Sequence, residues 1–299
     1  MRGRNCQSRP ARFAAFAKEF GAAIAILAVM ISGTSVQAQD DDRVLAIGGS
    51  VTEIIYALGQ QDRLVARDTT SSFPPEAEAL PDVGYMRALS PEGVLSVNPD
   101  LVIAEAGSGP PETIEVLEEA AINFVMVPDG YDRASIGEKI RAVAAALGVD
   151  AAGEDLAAEV DADLAEAEAA AATGGTPPRV LFILSMQGGR ILASGTDTGA
   201  AGIIALAGGE NAVTEFDGYK PLTDEAVTAL APDVILMMDR QGDHSAADAE
   251  LFSHPALSTT PAAQTGSVVR MDGLLMLGFG PRTPEAVRAL SAAFDEARG

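Results

Sequence analysis

Cysteine is nearly missing from this 299-residue chain, and the single one, Cys6, lies in the first segment. Beyond that segment no disulfide, thiolate metal site or cysteine nucleophile is possible. Tryptophan is absent and aromatic residues make up 5%, which removes the stacking surfaces a sugar receptor needs. The two histidines, His244 and His254, show no partner spacing of the imidazole and carboxylate kind that builds a transition-metal site. Basic residues are scarce too: 20 Lys and Arg stand against 43 Asp and Glu, a net charge of −23. That balance excludes nucleic acid, whose binders carry a basic patch.

Long apolar runs are also missing after residue 38, so no later segment is expected to enter a membrane. What precedes it has the form of a secretory leader over residues 1–38. Arg2, Arg4, Arg9, Arg12 and Lys18 form a basic region, residues 20–31 an apolar stretch, and Val36-Gln37-Ala38 a small-residue cleavage site. A spanning helix needs roughly 18 or more apolar residues, and Lys18 and the polar residues 32–35 cut this run short. A lipoprotein would carry its cysteine at the cleavage point, and Cys6 is not there. The expected product is exported, not lipidated and held in a periplasm, with Asp40, Asp41 and Asp42 as a solvated start.

The remainder is 47% hydrophobic by whole-chain composition and patterned as alternating short strands and helices, the signature of parallel α/β structure. Strands are predicted at 43–47, 63–66, 101–104 and 124–127, with helices from Ser50 or Thr52 as cap to Leu58 and over 112–121. From 134 to 172 the chain is mostly Ala, Glu, Asp, Leu and Val, predicting long helix broken near Gly148 and Gly153. Strand–helix alternation resumes at Arg179-Val-Leu-Phe-Ile183. The second half then echoes the first. Gly84-Tyr85 answers Gly218-Tyr219, Glu92 answers Glu225, and the Pro-Asp pair at 99–100 returns 133 residues later at 232–233. One repeat of that length means two similar lobes rather than a solenoid. The predicted divisions are a first lobe over 43–131, a linking helical region over 132–175 and a second lobe over 176–299. In open parallel sheets ligands sit beyond the carboxyl ends of the strands, which puts both Gly-Tyr loops on rims facing across a cleft.

No catalytic template is present. Gly48-Gly-Ser-Val-Thr52 lacks the second glycine of a nucleophile elbow, and no glycine-rich phosphate loop precedes a lysine. The chain reads as a non-enzyme.

More specific segments are Arg67-Asp-Thr-Thr70, Val83-Gly-Tyr-Met-Arg-Ala-Leu-Ser90, Asn98-Pro-Asp100, Gly218-Tyr-Lys-Pro-Leu222 and Leu277-Gly-Phe-Gly-Pro-Arg-Thr-Pro284. Together they resemble the periplasmic haem-binding proteins of bacterial ABC importers, over nearly all of residues 43–299. The resemblance implies haem as transported ligand, with Tyr85 as axial ligand of the ferric iron and Arg87 supporting it. The internal symmetry sets Tyr219 and Lys220 on the facing rim, where Tyr219 can stack on the ring or hydrogen-bond Tyr85 or a propionate and Lys220 can pair with a propionate. Arg67 and Arg282 are weaker propionate candidates, and Met186, a soft donor poorly suited to ferric iron, reads as apolar lining. Some relatives add a histidine after the first strand of the second lobe. Here that stretch, Leu184-Ser-Met-Gln-Gly-Gly189, reads as a loop without one, which favours a single five-coordinate haem. In the wider group one glutamate per lobe docks on the paired permease subunits, and Glu92 and Glu225 hold those positions.

The fold expected is therefore α/β: two similar Rossmann-like lobes, each with a mainly parallel sheet, joined by a long inter-lobe helix. The function expected is that of a monomeric periplasmic receptor delivering haem to an ABC permease dimer. A siderophore or corrinoid receptor of the same fold is the alternative, and a periplasmic enzyme a more distant one.

Overall fold

A computed structural model describes residues 42–120, 122–172, 175–239 and 248–298. The leader and His244 lie outside them. Strand β1 (Val44–Ile47) is apolar at all four positions because it is buried on both faces. It leads into α1 (Gly49–Ala57), then β2 (Leu64–Arg67), α2 (Pro91–Ser96), β3 (Leu101–Glu105), α3 (Pro111–Glu119) and β4 (Asn123–Val127). These strands make one sheet in the order β2-β1-β3-β4, every pairing parallel.

Two helices follow, α4 (Arg133–Leu147) and α5 (Asp150–Ala171). The second runs about 33 Å at 1.5 Å per residue. Gly148, at φ 72°, ends α4 in the left-handed conformation that glycine adopts most readily. Gly153 does not break the helix as expected but lies within α5. A Cβ there would stand 2.2 Å from Ala144 Cβ, so this glycine lets the two helices approach closely. The buried stripe of α5 runs Gly153, Ala157, Val160, Leu164, Ala167 and Ala171, the three-and-four spacing of one helix face. Acidic residues cover the rest and are tied by Arg133 to Asp161, Arg141 to Glu154 and Arg288 to Asp163.

The second lobe contains β5 (Arg179–Gln187), β6 (Arg190–Ser194), α6 (Gly199–Leu206), β7 (Glu210–Asn211), β8 (Tyr219–Leu222), α7 (Asp224–Leu230), β9 (Val234–Asp239), α8 (Asp248–Ser253), α9 (Pro261–Thr265), β10 (Val268–Asp272), α10 (Gly273–Leu277) and α11 (Thr283–Arg298). Its sheet runs β10-β9-β5-β6-β8, with β7 also beside β5. β10, β9, β5 and β7 pair in parallel, while β6 joins β5 and β8 antiparallel. The antiparallel pair corrects an expectation. Residues 184–189 are not an open loop, because β5 continues to Gln187 and turns back through Gly188 and Gly189, at φ 57° and 75°. Two consecutive positive φ values are what a tight two-residue hairpin requires.

The internal repeat is built into the hydrogen bonding. Arg43, just before β1, and Arg179, the first residue of β5, donate their backbone N–H to Asp100 and Asp233 at 3.1 and 2.9 Å. Their guanidiniums reach the carbonyls of Asn98 and Leu230. Asn98 and Ala231, the residues before the two prolines, both hold left-handed φ, 46° and 44°. One core runs through both lobes and the helices between them, from Ile54 through Ile140 and Leu164 to Phe182 and Phe294. Separate clusters fill the outer face of each sheet. Among the described residues no helix is long and apolar enough to cross a membrane.

Candidate functional site

A cleft of about 540 Å³ opens between the lobes. Its walls are the segments just beyond the carboxyl ends of the strands: Ser50 after β1, Thr70 after β2, Ala106 after β3, Tyr131 after β4, Asp239 at the end of β9 and Gly273 after β10. That is where the topology of parallel sheets leaves room for a ligand.

The segment carrying Tyr85 and Arg87 has no regular structure, yet it is held at many points. Gly84 takes φ 102°; its carbonyl accepts from the Thr69 N–H at 3.0 Å, and its N–H donates to Asp82 at 2.8 Å. The Met86 carbonyl and Leu89 N–H both bond Gly109 at 2.9 Å. Val83, Met86 and Leu89 point inward and are buried, so the residues between them turn outward. Tyr85 is 46% exposed as a result, and both it and Arg87 line the cleft. Arg87 has no ion-pair partner among the described residues.

Tyr219 faces them from the start of β8. Its ring packs edge-on against Phe182, and its hydroxyl faces Ser194, Thr198 and the Ala200 N–H at the start of α6. Burial pushes this phenol up, while those hydrogen-bonding groups and the Arg87 charge pull it down. Tyr131, which sequence reasoning overlooked, is a third cleft phenol. It packs edge-on against Phe279, and burial and Asp129 push it up against the pull of Arg87. Only its place just past a strand end could have pointed to it.

Four of the expected contacts are directed elsewhere. Arg67 is tied to Asp82 at 3.0 Å and to the carbonyls of Asp68 and Ala77, bracing the loop behind Tyr85. Arg282 is ion-paired with buried Glu53, and its guanidinium carbon lies 3.5 Å from the Phe73 ring centroid. Lys220 stands over Phe216 at 5.1 Å and does not line the cleft. Met186 misses the cleft because the β5–β6 pairing shifts register between Ile183 and Ser185. That bulge leaves Leu184 on the cleft and sends Met186 to the outer cluster of the second lobe.

The helix cap expected from Ser50 or Thr52 is also absent. α1 starts after Gly48 at φ 110° with no side-chain cap. Ser50 instead donates to Glu105 at 2.7 Å, and Thr52 pairs with Ser71. His254 is a structural residue: Nε2 bonds the Gly189 carbonyl at 2.9 Å and Nδ1 accepts from the Ala256 N–H. Glu92 and Glu225 are exposed in the first turns of α2 and α7. Ser90 and Thr223 cap those helices, at 3.0 and 3.2 Å. The Glu225 carboxyl is held below its usual range by its own N–H and the Thr223 hydroxyl.

Residues 44–274 match the family model described as Periplasmic binding protein. The chain belongs to that family. Among solved structures it is similar to the periplasmic haem-binding protein BhuT in complex with two haems, 42% identical with a TM-score of 0.82, covering 86% of this chain and 99% of that one. It is likewise similar to the periplasmic haem-binding protein RhuT from Roseiflexus sp. RS-1 in apo form, 38% identical with a TM-score of 0.83 and the same coverage. A Bacillus subtilis (strain 168) relative, the uncharacterised ABC transporter substrate-binding lipoprotein YvrC, is 27% identical over 85% of this chain and 80% of its own length. Vitamin B12-binding proteins of Yersinia match more narrowly, one from Yersinia pseudotuberculosis serotype O:1b (strain IP 31758) at 33% identity over 33% of this chain and 35% of its own. These relatives are, by name, binding proteins, one of them the substrate-binding lipoprotein of an ABC transporter.

Proposed function

We propose that this periplasmic binding protein captures ferric haem in the inter-lobe cleft, with Tyr85 as axial ligand, and delivers it to an ABC permease. The observation that carries the reading is an outward-turned phenol on a pinned loop, two residues from a cleft guanidinium with no carboxylate partner among the described residues. Ferric iron is a hard cation, and phenolate oxygen is among the recognised haem ligands. Free tyrosine ionises near pH 10, so ligation at neutral pH needs the phenolate to be favoured. The iron does most of this, and Arg87, which keeps its charge at any working pH, adds to it. Leu184, Met238, Leu274 and Leu277 supply apolar walls for a flat macrocycle, and Tyr219 offers an aromatic ring on the same cleft. A cleft of about 540 Å³ falls within the usual range for small-molecule sites, ~300–1,000 Å³.

Glu92 and Glu225 are the docking contacts to the two permease subunits, one on each lobe over 43–131 and 176–299, with 132–175 as the link. The leader directs export and is removed after Ala38, without lipidation, and the receptor works as a monomer.

Titration of the purified protein with hemin tests the reading against a corrinoid receptor. A Soret band that saturates with hemin, and no spectral or calorimetric response to cyanocobalamin, is expected. Saturable corrinoid binding without hemin binding would overturn it.

A further inference from the structure

Beneath the cleft floor lies the ammonium of Lys139, a fully buried side chain reaching in from α4. Four acceptors surround it: Glu105 Oε1, Asp129 Oδ1 at 2.8 Å, Ser50 Oγ at 3.3 Å and the Gly278 carbonyl at 3.1 Å. All four of those residues line the cleft, and Lys139 does not. The lysine thus touches the ligand space only through the groups it neutralises.

The charge balance of the wall gives this arrangement meaning. Among the described residues four carboxylates line the cleft, those of Glu105, Asp129, Asp239 and Asp272, against one guanidinium, that of Arg87. An anionic ligand would meet a repellent wall unless some of that charge were cancelled. Buried ion pairs add little net stability compared with apolar residues of similar volume, so packing alone does not explain an ammonium here. Burial raises the Glu105 carboxyl above its ordinary range, with Lys139 opposing that push.

We propose that Lys139 is a positioning residue that offsets one of the two negative charges of Glu105 and Asp129 beneath the ligand, so that the cleft floor repels an anionic cargo less. The inference rests on the haem reading above, since it is the two propionates of haem that such an offset would admit.

The test compares hemin with hemin dimethyl ester, which has the same ring and iron but no carboxylates. Both are titrated by absorbance against the parent, Lys139→Met, and the triple variant Lys139→Met/Glu105→Gln/Asp129→Asn. Lys139→Met uncovers one net negative charge and is expected to weaken hemin by roughly tenfold at low salt, with little change for the ester. The triple variant removes all three charges with side chains of similar size, and is expected to bind hemin at least as tightly as the parent. Circular dichroism and a urea midpoint establish that each variant is folded. If the single variant does not fold, the triple variant decides alone: hemin affinity falling well below the parent's while the ester's holds overturns the proposal. Equal losses for both porphyrins in either variant make Lys139 a purely structural residue and also overturn it. A parent protein that binds neither porphyrin overturns the haem reading and this inference together.

Discussion

Arg282→Ala should reveal how the two lobes are tied. Arg282 precedes α11 in the second lobe, and its partner Glu53 lies in α1 of the first. The Glu53 side chain is 5% exposed, and removing its one cation among the described residues leaves a buried carboxylate without compensation. Breaking such a pair costs about 3–5 kcal/mol near neutral pH. The size of the loss should depend on pH, and its sign follows from the geometry. Burial already raises the Glu53 carboxyl above its ordinary range, with Arg282 opposing that push. Without Arg282 the folded-state pKa climbs further from the unfolded value. A carboxyl in that condition binds its proton more tightly when folded, so stability falls as pH rises between the two values. The deficit of the variant should therefore be largest near pH 8 and shrink towards about pH 5, as Glu53 takes up a proton. The lost contact with Phe73 leaves a residue of roughly 0.5–1 kcal/mol at the acid end. Urea unfolding of parent and variant at both pH values measures the difference, and Glu53→Gln/Arg282→Ala should recover most of it at pH 8. A deficit independent of pH, or no recovery in the double variant, would refute the reasoning.

Other outcomes follow from the same contacts. Gly153→Leu places side-chain atoms where Ala144 already stands, 2.2 Å from the new Cβ, and should cost about 1–3 kcal/mol by overpacking, measured as a lowered thermal midpoint. Arg87→Ala should weaken hemin binding and alter its spectrum. Lys220→Ala should leave both unchanged, because that ammonium stands over Phe216 outside the cleft. Glu92→Ala and Glu225→Ala should leave hemin affinity within error of the parent while abolishing haem-dependent growth of a strain that relies on the receptor. Unimpaired growth of the double variant would remove these glutamates from docking.

Much of the architecture was legible because it is written twice. The Pro-Asp pairs, both with an arginine at the head of the central strand, fix the same turn in each lobe, and that regularity exposed the duplication. The linking helix was equally plain from its Ala-rich composition. Gly153 misled because a glycine in a helical run is ordinarily a break, whereas here the contact with Ala144 decides. The β5–β6 hairpin was missed although Gly188-Gly189 is a hairpin signal, since the polar residues around it read as a loop. Placement of Tyr85 at the cleft followed from the Gly-Tyr repeat, and Arg87 came from the resemblance to haem-binding proteins. The fates of Arg67 and Arg282 did not, because ion pairing with Asp82 or Glu53 is a matter of three-dimensional neighbours. Lys139 carries no local signal at all: its partners come from four separate segments.

Resonance Raman spectroscopy of the hemin complex bears most directly on the identity of the iron ligand. An iron–phenolate vibration is expected in the parent and should vanish in Tyr85→Phe, together with a marked fall in affinity. An unchanged spectrum in that variant would mean that some other group holds the iron, and that the phenol on the Gly84 loop merely lines the cleft.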